Sequence, residues 1–339
     1  MDNNILIDNM VRSDILNLVY KIKKCHSKSM YNKLLTELIQ LYNLANTLQL
    51  DNILDVDNYT FKYFPFKEKQ IEKKQKNFYI ENHEFNSELV DNYNGLIKSS
   101  MDNDFRYDIL RMNYKESQNL VAEFLEKLDK NIFNIFKECV TNNRFIYLEN
   151  NETDIMNAGL TFAGNYFKPY VLIEDYDSIF TAVTSVHETG HIYDFSNSIP
   201  NKYNYVEEVY SHFLELVFCD YLSNDKINIK NIKYSFVEDL EENIKELESL
   251  LQENIVSNLD FRQNYTRIYS IIEYTYGMIL ALEFYDIYLQ DKELGMYNIN
   301  DFSKTKNDFN NPFDVMKKYG MDKEEMLEGK VLEKFIKRI

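Results

Sequence analysis

Two histidines and a glutamate lie close together in the segment His187-Glu188-Thr189-Gly190-His191. Residues four apart on an α-helix share one face, so His187 and His191 can offer their imidazole nitrogens to a single metal ion. Two neutral imidazoles, one further ligand and an open position for water are typical of a catalytic zinc site. Zinc lowers the pKa of that water to about 7, and Glu188 is the carboxylate expected to take its proton. The motif predicts one Zn²⁺ per chain, with Glu188 as general base.

The third metal ligand has to come from another segment, and the next predicted helix carries Glu207, Glu208 and Glu215. Glu208 and Glu215 are two turns apart on one face of that helix, so the spacing alone leaves both open as ligands. His212 lies one turn beyond Glu208. We interpret His212 as a packing residue or as support for a ligand.

These two segments together resemble the thimet oligopeptidase family of zinc peptidases, and oligoendopeptidase F in particular. In that family HExGH is followed by a helix with the pattern E-[VI]-x-S-x-x-x-E, which Glu208, Val209, Ser211 and Glu215 match position for position. The resemblance implies that Glu208 binds the metal and that Glu215 supports a ligand. The connecting loop is shorter here, and at the family's usual separation from His187 the ligand would be Glu215 instead.

The resemblance also covers the substrate side. The turn at Gly164 and the strand that starts at Tyr170 are similar to the family's glycine turn and edge strand, which implies that both residues contact a peptide paired with that strand. Further along the chain, a tyrosine-rich segment is similar to family helices whose phenols stabilise the oxyanion. It implies Tyr269 as the catalytic donor, with Tyr265 and Tyr276 as substrate contacts. A plain structural hairpin and clustering by composition are the alternatives, since the chain has 27 tyrosines.

Two departures from the family pattern concern catalysis. No histidine follows His212, although the family has one further along the chain, and one of the family's tyrosines falls on Ile272. The leading hypothesis is a zinc-dependent endopeptidase that hydrolyses short peptides through a metal-activated water. The alternative is a catalytically impaired, zinc-containing peptide-binding protein, and a third reading is a helical scaffold with a fortuitous HExxH and no metal.

Helices should dominate the elements that position these residues. Only 8 Gly and 4 Pro punctuate 339 residues, too few turn residues for a sheet-rich protein. Apolar residues recur at helical spacing except around residues 145–148 and 170–173, which predict a small strand pair before the metal helix. The resemblance implies a mainly α, zincin-type peptidase fold. We predict a shortened helical N-terminal lobe over residues 1–110 and a catalytic domain over residues 111–339.

The composition excludes several classes of partner. A formal net charge of −17 argues against nucleic acid, which requires a basic surface. Cys25, Cys139 and Cys219 are scattered and lack a CxxC spacing, so neither a disulfide framework nor a thiolate zinc site is predicted. No segment approaches the roughly 18 apolar residues of a membrane span, and residues 1–10 do not have the pattern of a signal peptide. We expect a cytoplasmic protein with peptide substrates; the oligomeric state is not predicted.

Overall fold

The computed structural model describes residues 3–25, 27–50, 77–100, 110–149, 159–198, 205–224, 230–253 and 258–339. Within these ranges the chain is mainly helical with a small β element before the HExxH helix, as predicted, and that element is a sheet of three strands rather than a pair. From the N-terminus the elements are α1 (Asn3–Lys23), α2 (Lys28–Thr47), α3 (His83–Ser100), α4 (Tyr114–Leu128), α5 (Lys130–Thr141), β1 (Phe145–Glu149), β2 (Gly159–Phe162), β3 (Tyr170–Asp175), α6 (Ile179–Asn197), α7 (Val209–Asn224), α8 (Lys230–Gln252), α9 (Asn258–Gln290), α10 (Lys292–Thr305), α11 (Pro312–Tyr319), α12 (Lys323–Leu327) and α13 (Lys330–Ile336).

The chain forms two compact units, each built from two separate segments. The first unit comprises Met1–Glu68 and Arg111–Ile199, and the second comprises Lys69–Leu110 and Pro200–Ile339. This division differs from the predicted lobe over residues 1–110 and catalytic domain over residues 111–339, whose boundary stays a prediction. Among the described helices, none is both long enough and apolar enough to cross a membrane.

In the first unit, α1 and α2 cover one face of the sheet. Apolar residues recur every three or four positions along α1, which places them on one stripe of the helix. That stripe joins a similar one on α2 and side chains of the sheet in a single core; the buried members include Ile7, Val11, Ile15, Leu18 and Ile22 of α1, Leu34, Leu38 and Leu41 of α2, and Ile146, Tyr170 and Leu172 of the sheet. The N-terminal helices therefore help to hold the sheet in place.

The strand order in the sheet is β1-β3-β2. β1 runs parallel to β3, with Phe145 opposite Val171, and β2 runs antiparallel to β3, with Thr161 opposite Val171 and Gly159 opposite Ile173. The predicted strand pair is present, but the prediction that the strand from Tyr170 is an edge strand was wrong. Its backbone groups are paired on both sides, so no peptide can add to it. The edge next to β3 is β2, which the sequence did not predict.

The HExxH helix α6 packs on β2 and β3 and against α4 and α5. It begins after Ser178, whose hydroxyl accepts a hydrogen bond from the Phe180 amide as an N-cap. Two of its buried hydroxyl groups are satisfied inside the helix, because Ser185 donates to the Thr181 carbonyl at 2.6 Å and Thr189 donates to the Ser185 carbonyl at 2.6 Å. These bonds allow a helix with several polar residues to run through a buried position.

In the second unit, the long helix α9 packs against α7, α8, α10 and α13. Helix α8 also packs against α3. Helix α9 is apolar around most of its circumference near its middle, where residues from Thr275 to Leu282 are buried, as expected of a central helix. It is therefore the element against which the segment of Glu207 and Glu208 is placed.

Candidate metal centre

His187 and His191 of α6 direct their Nε2 atoms toward each other at a separation of 3.1 Å. Two imidazole nitrogens bound to one tetrahedral zinc at the usual Zn–N length are about 3.3 Å apart. The pair therefore already has nearly the separation that a shared zinc ion requires. The ring of His191 is buried and stacks on Phe195 with ring centroids 5.7 Å apart, which fixes its orientation.

Glu188 lies beside the two histidines, and one ligand atom from each of the three residues falls within 4.8 Å of the others. Its side chain is buried, and its Oε2 accepts a hydrogen bond from the Thr161 hydroxyl at 2.6 Å. Gly159 is adjacent, since a methyl group added there would stand 2.6 Å from Glu188 Oε1. The structure brings the three predicted residues of the motif together and adds two neighbours from β2 that the sequence did not indicate.

In the second unit, Glu208 immediately precedes α7 and is buried. Its carbonyl accepts the amide hydrogen of His212 at 3.1 Å, so it begins the helical hydrogen-bond pattern. The position of its side chain depends on α9, because a methyl group on Gly277 would stand 2.6 Å from the Glu208 Cβ.

Glu215 and His212 form a pair on α7. The Glu215 Oε2 and the His212 Nδ1 are 2.9 Å apart, and the His212 ring lies edge-on to Phe236 and Tyr274. The carboxylate of Glu215 is thus engaged with an imidazole three residues away. Its role in supporting a metal ligand stays a prediction.

Tyr269 of α9 donates its hydroxyl to carboxylates of its own unit. The acceptors are Glu273 Oε1 at 2.7 Å and Glu207 Oε2 at 3.2 Å. Burial, followed by the charges of Glu207 and Glu273, raises the pKa of Tyr269 well above 10. Burial and the neighbouring Glu207 and Glu208 also raise the pKa of Glu273 well above 4.5. We did not predict this group; the four-residue spacing of Tyr269 and Glu273 on a helix was the available signal.

Tyr205 holds the chain in an unusual conformation just before these glutamates. Its φ angle is 62°, a region that bulky residues rarely adopt. The ring is buried and stacks on Tyr269 with centroids 5.0 Å apart, and the ring of Phe78 packs against it in a tilted arrangement at the same separation. Packing of the ring against these two aromatic side chains compensates the backbone strain at Tyr205.

The predicted substrate tyrosines of α9 lie in different surroundings. The Tyr276 hydroxyl is fully buried and donates to Asn86 Oδ1 at 2.7 Å, so this side chain behaves as a core residue. Nothing in its surroundings supports a contact with a substrate. The backbone of Tyr265 belongs to α9, but its side chain is outside the described part of the structure.

Gly164 and Tyr170 both have structural contacts in the first unit. The turn after Gly164 is held by Glu37 of α2, whose carboxylate accepts from the amides of Asn165 at 2.9 Å and Tyr166 at 2.8 Å. A methyl group on Gly164 would collide with that carboxylate. Tyr170 is buried in the sheet and donates to Asp14 on α1. Their predicted contacts with a peptide stay predictions without support from these positions.

Comparison of the chain with known proteins identifies similar folds among solved structures. No protein-family model matches the sequence, and no curated protein matches it significantly. A Bacillus anthracis protein assigned as oligoendopeptidase F matches 92% of the chain with a TM-score of 0.56 and 13% identity. A second structure assigned as oligoendopeptidase F matches 90% with a TM-score of 0.54 and 11% identity. The chain covers 64% of the length of each of these proteins. It therefore has the mainly helical fold of the oligoendopeptidase F structures.

Proposed function

We propose that this chain is a zinc-dependent endopeptidase that hydrolyses bonds in short peptides. The observation that carries the proposal is the convergence of His187 Nε2 and His191 Nε2, 3.1 Å apart, beside the Glu188 carboxylate. A fold shared with structures assigned as oligoendopeptidase F supports the same activity.

The metal-binding residues in this proposal are His187, His191 and Glu208. Glu208 is chosen over Glu215 on the family resemblance, in which the first glutamate of the pattern binds the metal, and Glu215, with its Oε2 2.9 Å from His212 Nδ1, is proposed to support a ligand. When bound, zinc would act as a Lewis acid and lower the pKa of a water molecule to about 7. The residues present fit such an ion, since two imidazoles and a carboxylate are a common ligand set for catalytic zinc.

Glu188 is the proposed general base. Thr161 occupies its Oε2, which leaves Oε1 to accept the proton of the attacking water and to return it to the leaving amine. Tyr269 is the proposed donor to the oxyanion. For that role the Tyr269 hydroxyl has to break its hydrogen bonds to Glu273 and Glu207 and donate to the substrate oxygen.

An extended peptide would bind along β2. Among the described strands β2 pairs only with β3, so its other edge offers backbone groups for strand addition. Thr161 on β2 touches Glu188, which brings a peptide on this edge close to the general base. Backbone pairing of this kind holds an extended peptide of any sequence.

The test is the variant Glu188→Gln, measured for both metal content and peptide cleavage. It should bind zinc as tightly as the parent protein and lose turnover, because the amide keeps the shape of the carboxylate but cannot take a proton. Cleavage by the parent protein should stop when a chelator is added and resume with zinc. If Glu188→Gln cleaves peptides at the parent rate, the proposed mechanism is wrong.

The second candidate, a zinc-containing peptide-binding protein with little catalysis, is favoured by one observation. The Tyr269 hydroxyl already donates to two carboxylates. No histidine follows His212 in the sequence that could act as the oxyanion donor instead. Incubation with a mixed peptide library distinguishes the two functions. A peptidase yields chelator-sensitive fragments, whereas a binding protein retains peptides and releases them intact.

A further inference from the structure

Strand β2 contacts the general base through two residues on one face. Successive side chains of a strand point to opposite faces, so Gly159 and Thr161 point to the same side of the sheet. Their partners across the ladder are Ile173 and Val171, and α6 packs against this side. The pleat of one short strand thus places both residues against Glu188.

Thr161 and Gly159 act on different oxygens of the same carboxylate. The Thr161 hydroxyl donates to Glu188 Oε2 at 2.6 Å, a short bond of the kind formed with a charged acceptor. Oε1 lies over Gly159, where a methyl group would stand 2.6 Å from Oε1 and 2.8 Å from the Glu188 Cγ. One residue fixes the rotation of the carboxylate, and the other leaves room for its second oxygen.

We propose that Thr161 is a positioning residue that orients Glu188 from the strand on which the peptide binds. The inference rests on the proposed peptidase function, in which Glu188 is the base and β2 is the edge for the substrate. The consequence is geometric: the same strand would determine the position of the substrate backbone and the direction of the proton acceptor. A Glu188 carboxylate held in this way is already in its reactive orientation before each turnover.

The first measurement compares Thr161→Val, which removes the hydroxyl but keeps the shape, with Thr161→Ser, which keeps the hydroxyl. Both proteins are checked for equal zinc content. Thr161→Val should lower kcat about 10- to 100-fold with little change in KM, as expected when the partner of a catalytic-site residue is lost. Thr161→Ser should stay close to the parent. A kcat for Thr161→Val equal to that of the parent overturns the proposal, as does an equal loss in both variants.

The second measurement does not need turnover. Thermal unfolding of the chelator-treated protein is followed for the parent, Thr161→Val, Glu188→Ala and the double variant. If Thr161 acts through Glu188, Thr161→Val lowers Tm by about 2 °C in the parent and hardly at all in Glu188→Ala. Losses that simply add overturn the proposal, because they indicate packing unrelated to Glu188. Failure of the proposed function is a separate result, since it appears as no cleavage by the parent protein.

Discussion

Gly277 lies directly against Glu208, and a methyl group added to Gly277 would stand 2.6 Å from the Glu208 Cβ and 3.5 Å from its backbone. Glycine inside a helix costs about 1 kcal/mol relative to alanine. At residue 277 this loss of helix stability accompanies the close contact with Glu208. We predict that Gly277→Ala displaces Glu208 and weakens zinc binding about 10-fold or more. Competition with a zinc-binding dye measures the change.

Gly95→Ala is the matched control for this variant. Gly95 lies inside α3, where an added methyl group meets no atom within 4 Å. The substitution should leave zinc affinity unchanged and raise the free energy of unfolding by up to about 1 kcal/mol. Equal zinc affinity in both alanine variants would argue against Glu208 as a ligand.

The choice of third ligand gives a second prediction. Glu208→Gln should weaken zinc binding more than Glu215→Gln, because Glu208 is proposed to bind the ion and Glu215 is held by His212 at 2.9 Å. The loss for Glu215→Gln should be about 10- to 100-fold, as for the loss of a residue that orients a ligand. Zinc titration of both variants under identical buffer conditions measures the two affinities. The reverse ranking would make Glu215 the ligand.

Tyr269→Phe tests the proposed donor to the oxyanion. Loss of one such donor typically lowers kcat about 100- to 1,000-fold, and KM should change little. Tyr276→Phe is the control, because its buried hydroxyl bonds Asn86 and its loss should cost about 1 kcal/mol of stability with no effect on kcat. Steady-state kinetics and Tm are measured on both. A Tyr269→Phe protein with lowered Tm and parent kcat would assign the hydroxyl to the support of Glu207 and Glu273 alone.

The local parts of this structure follow from the sequence, and the contacts between distant segments do not. The helical period and the HExxH spacing are local, so α6 and the histidine pair could be predicted. Apolar residues continue at helical spacing through residues 117–136, so this spacing gives no sign of the break between α4 and α5. The break occurs at Asp129, which accepts the amide hydrogen of Asn131 as an N-cap, a signal that was available in the residue type.

The missed parts depend on pairing across the sequence. Strand β2 has only four residues, Gly159–Phe162, and is defined by its ladder with β3. The contact of Thr161 with Glu188 requires that ladder, and the contact of Glu207 with Tyr269 joins the turn before α7 to α9. Neither hydrophobic period nor motif spacing contains such information. The resemblance to a family selected Glu208 as a ligand, which stays a prediction, and it also implied an edge strand at Tyr170 that the strand order contradicts.

A pH-dependent prediction concerns Glu283 on α9, where burial and the nearby Asp286 raise its pKa from 4.5 to about 7 despite Lys334. The folded protein therefore holds this proton more tightly than the unfolded chain. The resulting stability is present below pH 4.5 and is lost as pH rises to 7. Glu283→Gln should be more stable than the parent at pH 8 by up to about 3 kcal/mol and nearly equal at pH 4.

Urea unfolding at the two pH values measures this difference. An exposed residue of the same type, Glu246, provides the control substitution Glu246→Gln. It should shift the free energy of unfolding by less than about 0.5 kcal/mol at either pH. A Glu283→Gln variant that is stabilised equally at pH 4 and pH 8 would contradict the prediction, because its gain would then not come from loss of the ionised carboxylate.

The shared core of α1, α2 and the sheet has a consequence during synthesis on the ribosome. About 100 residues separate the end of α2 at Thr47 from the start of β1 at Phe145. At translation rates of about 5–20 residues per second, the strands are synthesised roughly 5–20 s after the two helices that cover them. Until then the apolar stripes of both helices lack their partner. During that interval the nascent chain exposes Leu34, Leu38 and Leu41 to the surrounding solution. This segment is where we expect a chaperone to bind the emerging protein.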